Sequence, residues 1–200
     1  FSGRATGIVL RNADAQPVLQ VGASFASRDR AICSNCPAGP LPITPAYYAD
    51  SSKSTAAFGL DLEWGGFRPG LHVIADFATG DNVPGTLRVN SGRNTGNLRT
   101  SSGSNVVTFR AFQVVGAYRL VTSGSDTRVV KMLEPVLRID VTDPNTDADD
   151  DAGVLLTPAL NVHFGNTVIL RAAFDIYRYT DAGGASKSAR EVKFSWQANF

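Results

Sequence analysis

The feature that most constrains this chain is a two-residue alternation of apolar and polar side chains that recurs from end to end. The last segment shows it most clearly. In Arg190–Phe200, Val192, Phe194, Trp196, Ala198 and Phe200 fall on one side, with Glu191, Lys193, Ser195, Gln197 and Asn199 on the other. Side chains alternate faces along a strand, so this segment reads as a ribbon with one apolar and one polar face. The helical period is almost absent.

The same split recurs upstream. Val168, Leu170, Ala172, Phe174 and Ile176 oppose Arg171, Ala173, Asp175 and Tyr177. Val154, Leu156, Pro158, Leu160, Val162 and Phe164 oppose Thr157, Asn161 and His163. Leu133, Pro135, Leu137, Ile139 and Val141 oppose Glu134, Arg138, Asp140 and Thr142. Further alternating runs centre on Phe112–Leu120, Leu71–Phe77, Phe58–Trp64 and Leu19–Phe25. The weakest is residues 1–11, where Arg4 and Thr6 oppose Gly3, Ala5, Gly7 and Val9. The pattern predicts nine strands and an all-β fold.

The connections alternate in length. Short turns fall near 12–17, 65–70, 122–127 and 165–166, the last a Gly-Asn hairpin signal. Longer connections, rich in Gly, Ser, Asn, Pro and Asp, fall near 29–54, 80–105, 143–152 and 180–188. A meander with short turns at one end and long loops at the other is the plan of an up-and-down outer-membrane barrel. Greek-key crossings in a soluble sandwich have no reason to alternate so regularly.

Composition narrows the classes. Lys+Arg 19 against Asp+Glu 18 gives net +1, without the basic surplus of a nucleic-acid binder. No run of about 18 apolar residues exists, so no transmembrane helix is expected, whereas a barrel spans with strands of about 9–11 residues. In a barrel the polar face would line a wet lumen. Its candidate lining is Arg4, Asp61, Glu63, Asp76, Arg119, Glu134, Arg138, Asp140, Arg171, Asp175, Glu191 and Lys193. Trp64, Phe67, Phe164 and Phe200 sit at the short-turn ends, where an interfacial aromatic girdle would lie. In a sandwich the same aromatics would be ordinary core.

Phe200, closing an alternating strand with Phe194 and Trp196, resembles the assembly signal of bacterial outer-membrane barrels. The run Leu133–Asp147 carries an acidic residue, an apolar-Arg-x-Asp core and then Asp143-Pro144-Asn145. It is similar to a strand and loop near the end of the phosphate-selective porin O/P family. Gly153–Phe164 with Gly165-Asn166-Thr167 resembles that family's penultimate hairpin, and Gly116–Val121 its later Tyr-x-Leu strand. Phe1-Ser2-Gly3-Arg4 resembles a mid-barrel strand start. The resemblance implies a trimeric channel in the outer membrane that passes phosphate, polyphosphate or other small anions through an Arg/Lys-lined lumen. Here both charge signs share the lining, which favours a transverse field over clean anion selectivity.

Nine strands are an odd number, and complete single-chain bacterial barrels have an even one. The expectation is therefore the second half of a barrel of roughly 16 strands, paired with upstream strands and bathed in lipid and lipopolysaccharide. If residues 1–11 are not a strand, an eight-stranded barrel remains open.

Cys33-Ser34-Asn35-Cys36 is a C-x-x-C in a Pro-rich loop. Only two His are present to complete a metal site, and no helix start follows for redox use. The expected role is a disulfide that staples the loop in an oxidising compartment. Asp143, Asp147, Asp149, Asp150 and Asp151 form an acidic loop that could take Ca²⁺ weakly, above all at Asp143, Asp147 and Asp149, or remain a solvated loop. Arg88, Arg93 and Arg99 in loop 85–104 could meet anions at a pore mouth or belong to a surface loop. No Gly-x-Ser-x-Gly element or phosphate-binding loop occurs, so neither enzyme chemistry nor a cofactor is expected. The leading expectation is a porin. A structural or surface-layer-anchoring barrel and a soluble β-sandwich binding module are the alternatives.

Overall fold

The computed structural model describes residues 1–32, 51–66, 69–82, 86–91, 94–99, 106–121, 129–147, 151–165, 168–180 and 185–198. No helix occurs among them. The strands are β1 (Ser2–Arg11), β2 (Pro17–Ile32), β3 (Ser51–Trp64), β4 (Gly70–Asn82), β5 (Thr86–Ser91), β6 (Asn94–Arg99), β7 (Val107–Val121), β8 (Val130–Asp143), β9 (Gly153–Phe164), β10 (Val168–Thr180) and β11 (Ser186–Ala198).

Nine of them form one antiparallel sheet in the order β1-β2-β3-β4-β7-β8-β9-β10-β11, so every neighbour in space is also the next long strand in the chain. These are the nine strands expected from the alternation. The weak first segment is a full member, paired with β2 from Ser2↔Ala26 to Arg11↔Pro17. The addition is β5–β6, a separate two-stranded hairpin within the expected long loop 80–105. The sheet is open, because β1 and β11 each pair on one side only.

The sheet strands are 10 to 16 residues long, where about 5–6 is usual in globular proteins. Local chemistry closes the short turns. In the first, Asn12 Oδ1 accepts the Gln16 N–H at 2.6 Å, the Asn12 N–H donates to the Gln16 carbonyl at 3.0 Å, and Ala15 takes a left-handed φ of 60°. In the β3–β4 turn Gly65 sits at φ 95°, where a Cβ would run into the Leu71 carbonyl. Only glycine meets both demands there without strain.

The two faces differ in an unusual sense. Thr55, His72, Glu134, Thr157, Asn161 and Asp175 are buried, and all occupy the polar side of their strands. Val107 and Ala117 are the only buried hydrophobic residues described, and they lie on that same side. Leu60, Phe112, Leu137, Leu160, Phe174, Phe194 and Trp196 on the other side are exposed, Phe194 by 80% and Trp196 by 72%. Packing runs between hydrogen-bonded neighbours, and no second layer covers either face among the described residues. A flat single layer would expose both faces alike. The sheet therefore curls around its polar side, and no apolar core forms among the described residues.

Candidate functional site

The concave polar wall gathers the titratable side chains. The expected lining residues Arg4, Asp61, Glu63, Arg119, Glu134, Arg138, Asp140, Arg171, Asp175 and Lys193 all stand on it, sorted into three groups by strand register.

The first group is a transverse ladder across β7, β8, β9 and β10. Directly opposed residues of an antiparallel pair share a face. The register thus aligns Arg119, Glu134, Asn161 and Arg171 in one row. Arg119 Nε donates to Glu134 Oε1 at 2.7 Å, Asn161 Nδ2 donates to Glu134 Oε2 at 2.7 Å, and Arg171 Nε donates to Asn161 Oδ1 at 2.8 Å. Arg119 Nη1 also donates to the Gly66 carbonyl at 2.5 Å, tying the ladder to the β3–β4 turn. The Glu134 and Arg119 side chains are 9% and 13% exposed, so this ion pair is largely out of water. His163 Nε2 stands 3.6 Å from Glu134 Oε2, beyond hydrogen-bond reach.

The second group centres on Asp175, the most buried carboxylate of the wall at 4% exposure. One oxygen accepts from Thr157 Oγ1 at 2.5 Å, and the other from Tyr177 OH at 3.0 Å and from Lys193 Nζ. Lys193 also lies 3.3 Å from Glu191. A carboxylate buried on this scale needs such a set of donors to remain ionised.

The third group surrounds a recess of about 460 Å³ lined in part by Arg4, Asp61, Asp76, Gln113 and Asp140. Asp61, Asp76, Gln113 and Asp140 are successive partners in one row across β3, β4, β7 and β8. Arg138 clasps Asp140 through Nε at 2.7 Å and Nη2 at 3.0 Å, and Gln113 Nε2 donates to the same carboxylate at 2.5 Å. Arg4 Nη2 bonds Asp61 at 3.0 Å although β2 lies between their strands. Gly22 makes that reach possible, since a Cβ there would collide with the Asp61 carboxylate. The Asp76 carboxylate makes no hydrogen bond or ion pair among the described residues. His72 Nε2 lies 3.2 Å from Glu63 Oε1 beside this group.

Most charges of the wall are thus compensated by a neighbour in the wall itself. Alternation in the sequence finds the charged members. It does not find that Thr157, Asn161, Gln113 and Tyr177 supply the hydrogen bonds that hold them, because that depends on register.

Phe194 and Trp196 of the expected assembly signal project from the outward face of β11, while Phe200 and the girdle residue Phe67 lie outside the described residues. Cys33 and Cys36 lie outside them as well, as do Arg93, Asp149 and Asp150. Arg88 and Arg99 fall on the β5–β6 hairpin. In the acidic loop, Asp143 Oδ1 accepts the Asn145 N–H and Asn145 Oδ1 accepts the Asp147 N–H, each at 3.1 Å. No cluster of three potential metal ligands occurs among the described residues.

Burial and the nearby negative charge of Asp143 raise the Asp151 carboxyl to about 6. A carboxyl whose folded value lies above its unfolded 3.8 favours folding when protonated, so its unfavourable contribution is absent below about pH 4 and complete above about pH 6. Asp151→Asn should therefore raise the urea midpoint at pH 7 and leave it unchanged at pH 4.

No protein-family model, curated protein or solved structure matches this chain. What the geometry itself defines is a class: a single curled antiparallel meander, polar within and apolar without.

Proposed function

We propose that this chain is part of a bacterial outer-membrane β-barrel that lets small polar solutes, with small anions such as phosphate foremost, diffuse through a lumen lined by its polar wall. The observation that carries the reading is the inverted polarity of the sheet. Glu134, Asn161, Thr157 and Asp175 are buried while Leu60, Phe112, Leu137, Phe174 and Phe194 are exposed. Water would reverse that arrangement, whereas lipid outside and water inside favour it. Strand length and the alternation of short and long connections support the same reading. A soluble sandwich needs a second sheet over the apolar face, and the described residues provide none.

The free edges of β1 and β11 belong to this proposal. Unpaired backbone groups are not tolerated in hydrocarbon, so further strands of the same barrel would pair with both. A barrel of roughly 16 strands assembled as a homotrimer in contact with lipopolysaccharide is the form proposed. The Arg171 guanidinium bonds the neutral Asn161 and so keeps a cationic contribution on the wall, while Asp76 contributes the opposite sign. The proposed anion preference is correspondingly mild.

The full-length protein reconstituted in planar bilayers should give stepwise ohmic conductance, with a reversal potential under a salt gradient of the sign for modest anion preference. A cation-selective potential would remove the anion part of the proposal. Membrane insertion without conductance would favour an anchoring barrel, and a monomer soluble without detergent would overturn the barrel reading.

A further inference from the structure

Two buried polar side-chain atoms lack a hydrogen-bond partner among the described residues, Asp151 Oδ2 in the acidic loop and His163 Nε2 on the polar wall. A buried polar atom without a bond costs free energy, so the second marks a bond that the wall has left unmade. His163 lies on β9 two residues from Asn161 and on the same face. Its directly opposed neighbours are apolar, Met132 on β8 and Ile169 on β10. Its diagonal neighbours, Glu134 on β8 and Arg171 on β10, are charged, and both belong to the transverse ladder. Lys131 occupies the irregularity of β8 beside Met132, and Arg119 reaches the same carboxylate from β7.

Glu134 has room for a further donor. Oε1 accepts from Arg119 and Oε2 from Asn161, and each oxygen carries two lone pairs. His163 Nε2 faces Oε2 at 3.6 Å. A neutral imidazole donates from one nitrogen only, whereas an imidazolium donates from both. Protonation therefore supplies a donor at Nε2 whichever tautomer preceded it. A closure of about 0.8 Å then reaches the usual length of a charge-assisted bond. Histidine is the side chain that changes charge between about pH 5 and pH 8.

The consequence for the wall is electrostatic. Glu134 is already paired with Arg119, so it does not cancel a further positive charge. The ladder holds two arginines against one glutamate, and a protonated His163 adds a second uncompensated positive charge diagonal to Arg171. We propose that His163 is a proton-operated specificity determinant of the wall, whose imidazolium closes onto Glu134 and raises the preference of the pore for anions as the medium turns acidic. The inference rests on the pore reading above. His72, the other histidine of the chain, differs in already lying 3.2 Å from Glu63.

The test is the reversal potential of the full-length protein in planar bilayers at about pH 8 and about pH 5, under a gradient of low salt where screening is weakest. Every protein carries Asp151→Asn and His72→Gln, so that neither the acidic-loop carboxyl at about 6 nor the other histidine titrates in that range. Groups outside this chain are common to all the proteins compared. Between the two pH values the anion-to-cation permeability ratio should rise about twofold more with His163 intact than with His163→Gln, the effect of one unit charge about 8 Å from the ion path in water. His163→Arg should hold the ratio near its acid value at both pH values. An equal rise with His163→Gln would overturn the inference and leave the pore standing. Should His163→Gln fail to insert, His163→Arg decides alone, since an undiminished rise there overturns the inference equally. Absence of conductance from every protein would overturn instead the pore reading on which the inference rests.

Discussion

Leu137→Arg should destabilise the reconstituted protein by about 2–4 kcal/mol, the penalty for an arginine on the lipid side of a barrel near the midplane. Leu137 is nearly half exposed on the outward face. For a protein bathed in water the same change would fall within about 0.5 kcal/mol of zero. The two outcomes barely overlap, so one urea titration in lipid vesicles separates them. Leu137→Met serves as the control, since it preserves apolar character and volume. An unchanged midpoint for Leu137→Arg would mean that this face meets water.

Removing the Glu134 carboxylate should be the most damaging change on the other face. Glu134→Leu leaves Arg119 with a largely buried charge and takes away the acceptor of Asn161. Breaking a buried pair from one side costs about 3–5 kcal/mol. Water reaching this face would screen part of that, so the expected loss is about 3 kcal/mol. Adding Arg119→Met should recover much of it, because the buried positive charge is removed along with its counter-charge. A double-mutant cycle read by urea unfolding measures the coupling directly. Additive losses from the two single variants would show that the ladder is not an energetic unit.

What could be read from the amino acids, and what could not, divides along physical lines. Side-chain period is a local property, so the two faces of Arg190–Ala198 and of Leu133–Val141 follow from the residues alone and reappear in the structure. The hairpin Thr86–Ser91 with Asn94–Arg99 is not legible in the sequence, because Asn, Gly and Ser dilute its alternation to the level of a loop. Pairing partners were equally hidden. Arg4 faces Ser24 across the ladder yet bonds Asp61 one strand further on, through a gap that exists only because Gly22 has no side chain. Asp175 draws its donors from β9, β10 and β11 at once. No single segment contains that information, since register is settled by long-range pairing. The solute preference is similarly hidden, because it depends on which charges neighbours neutralise.

The open meander has one more consequence, and it concerns what the sheet refuses. With an odd number of strands, β1 and β11 run in the same direction. Antiparallel bonds of the kind used everywhere else in the sheet cannot join those edges to each other. Nor can they join β11 of one molecule to β1 of an identical molecule inserted with the same orientation. Identical copies therefore cannot zip into a ring by that ladder, and only an intervening odd number of strands satisfies both edges. Parity thus bars the antiparallel form of pairing between these two edges, while each edge can still accept an antiparallel partner strand.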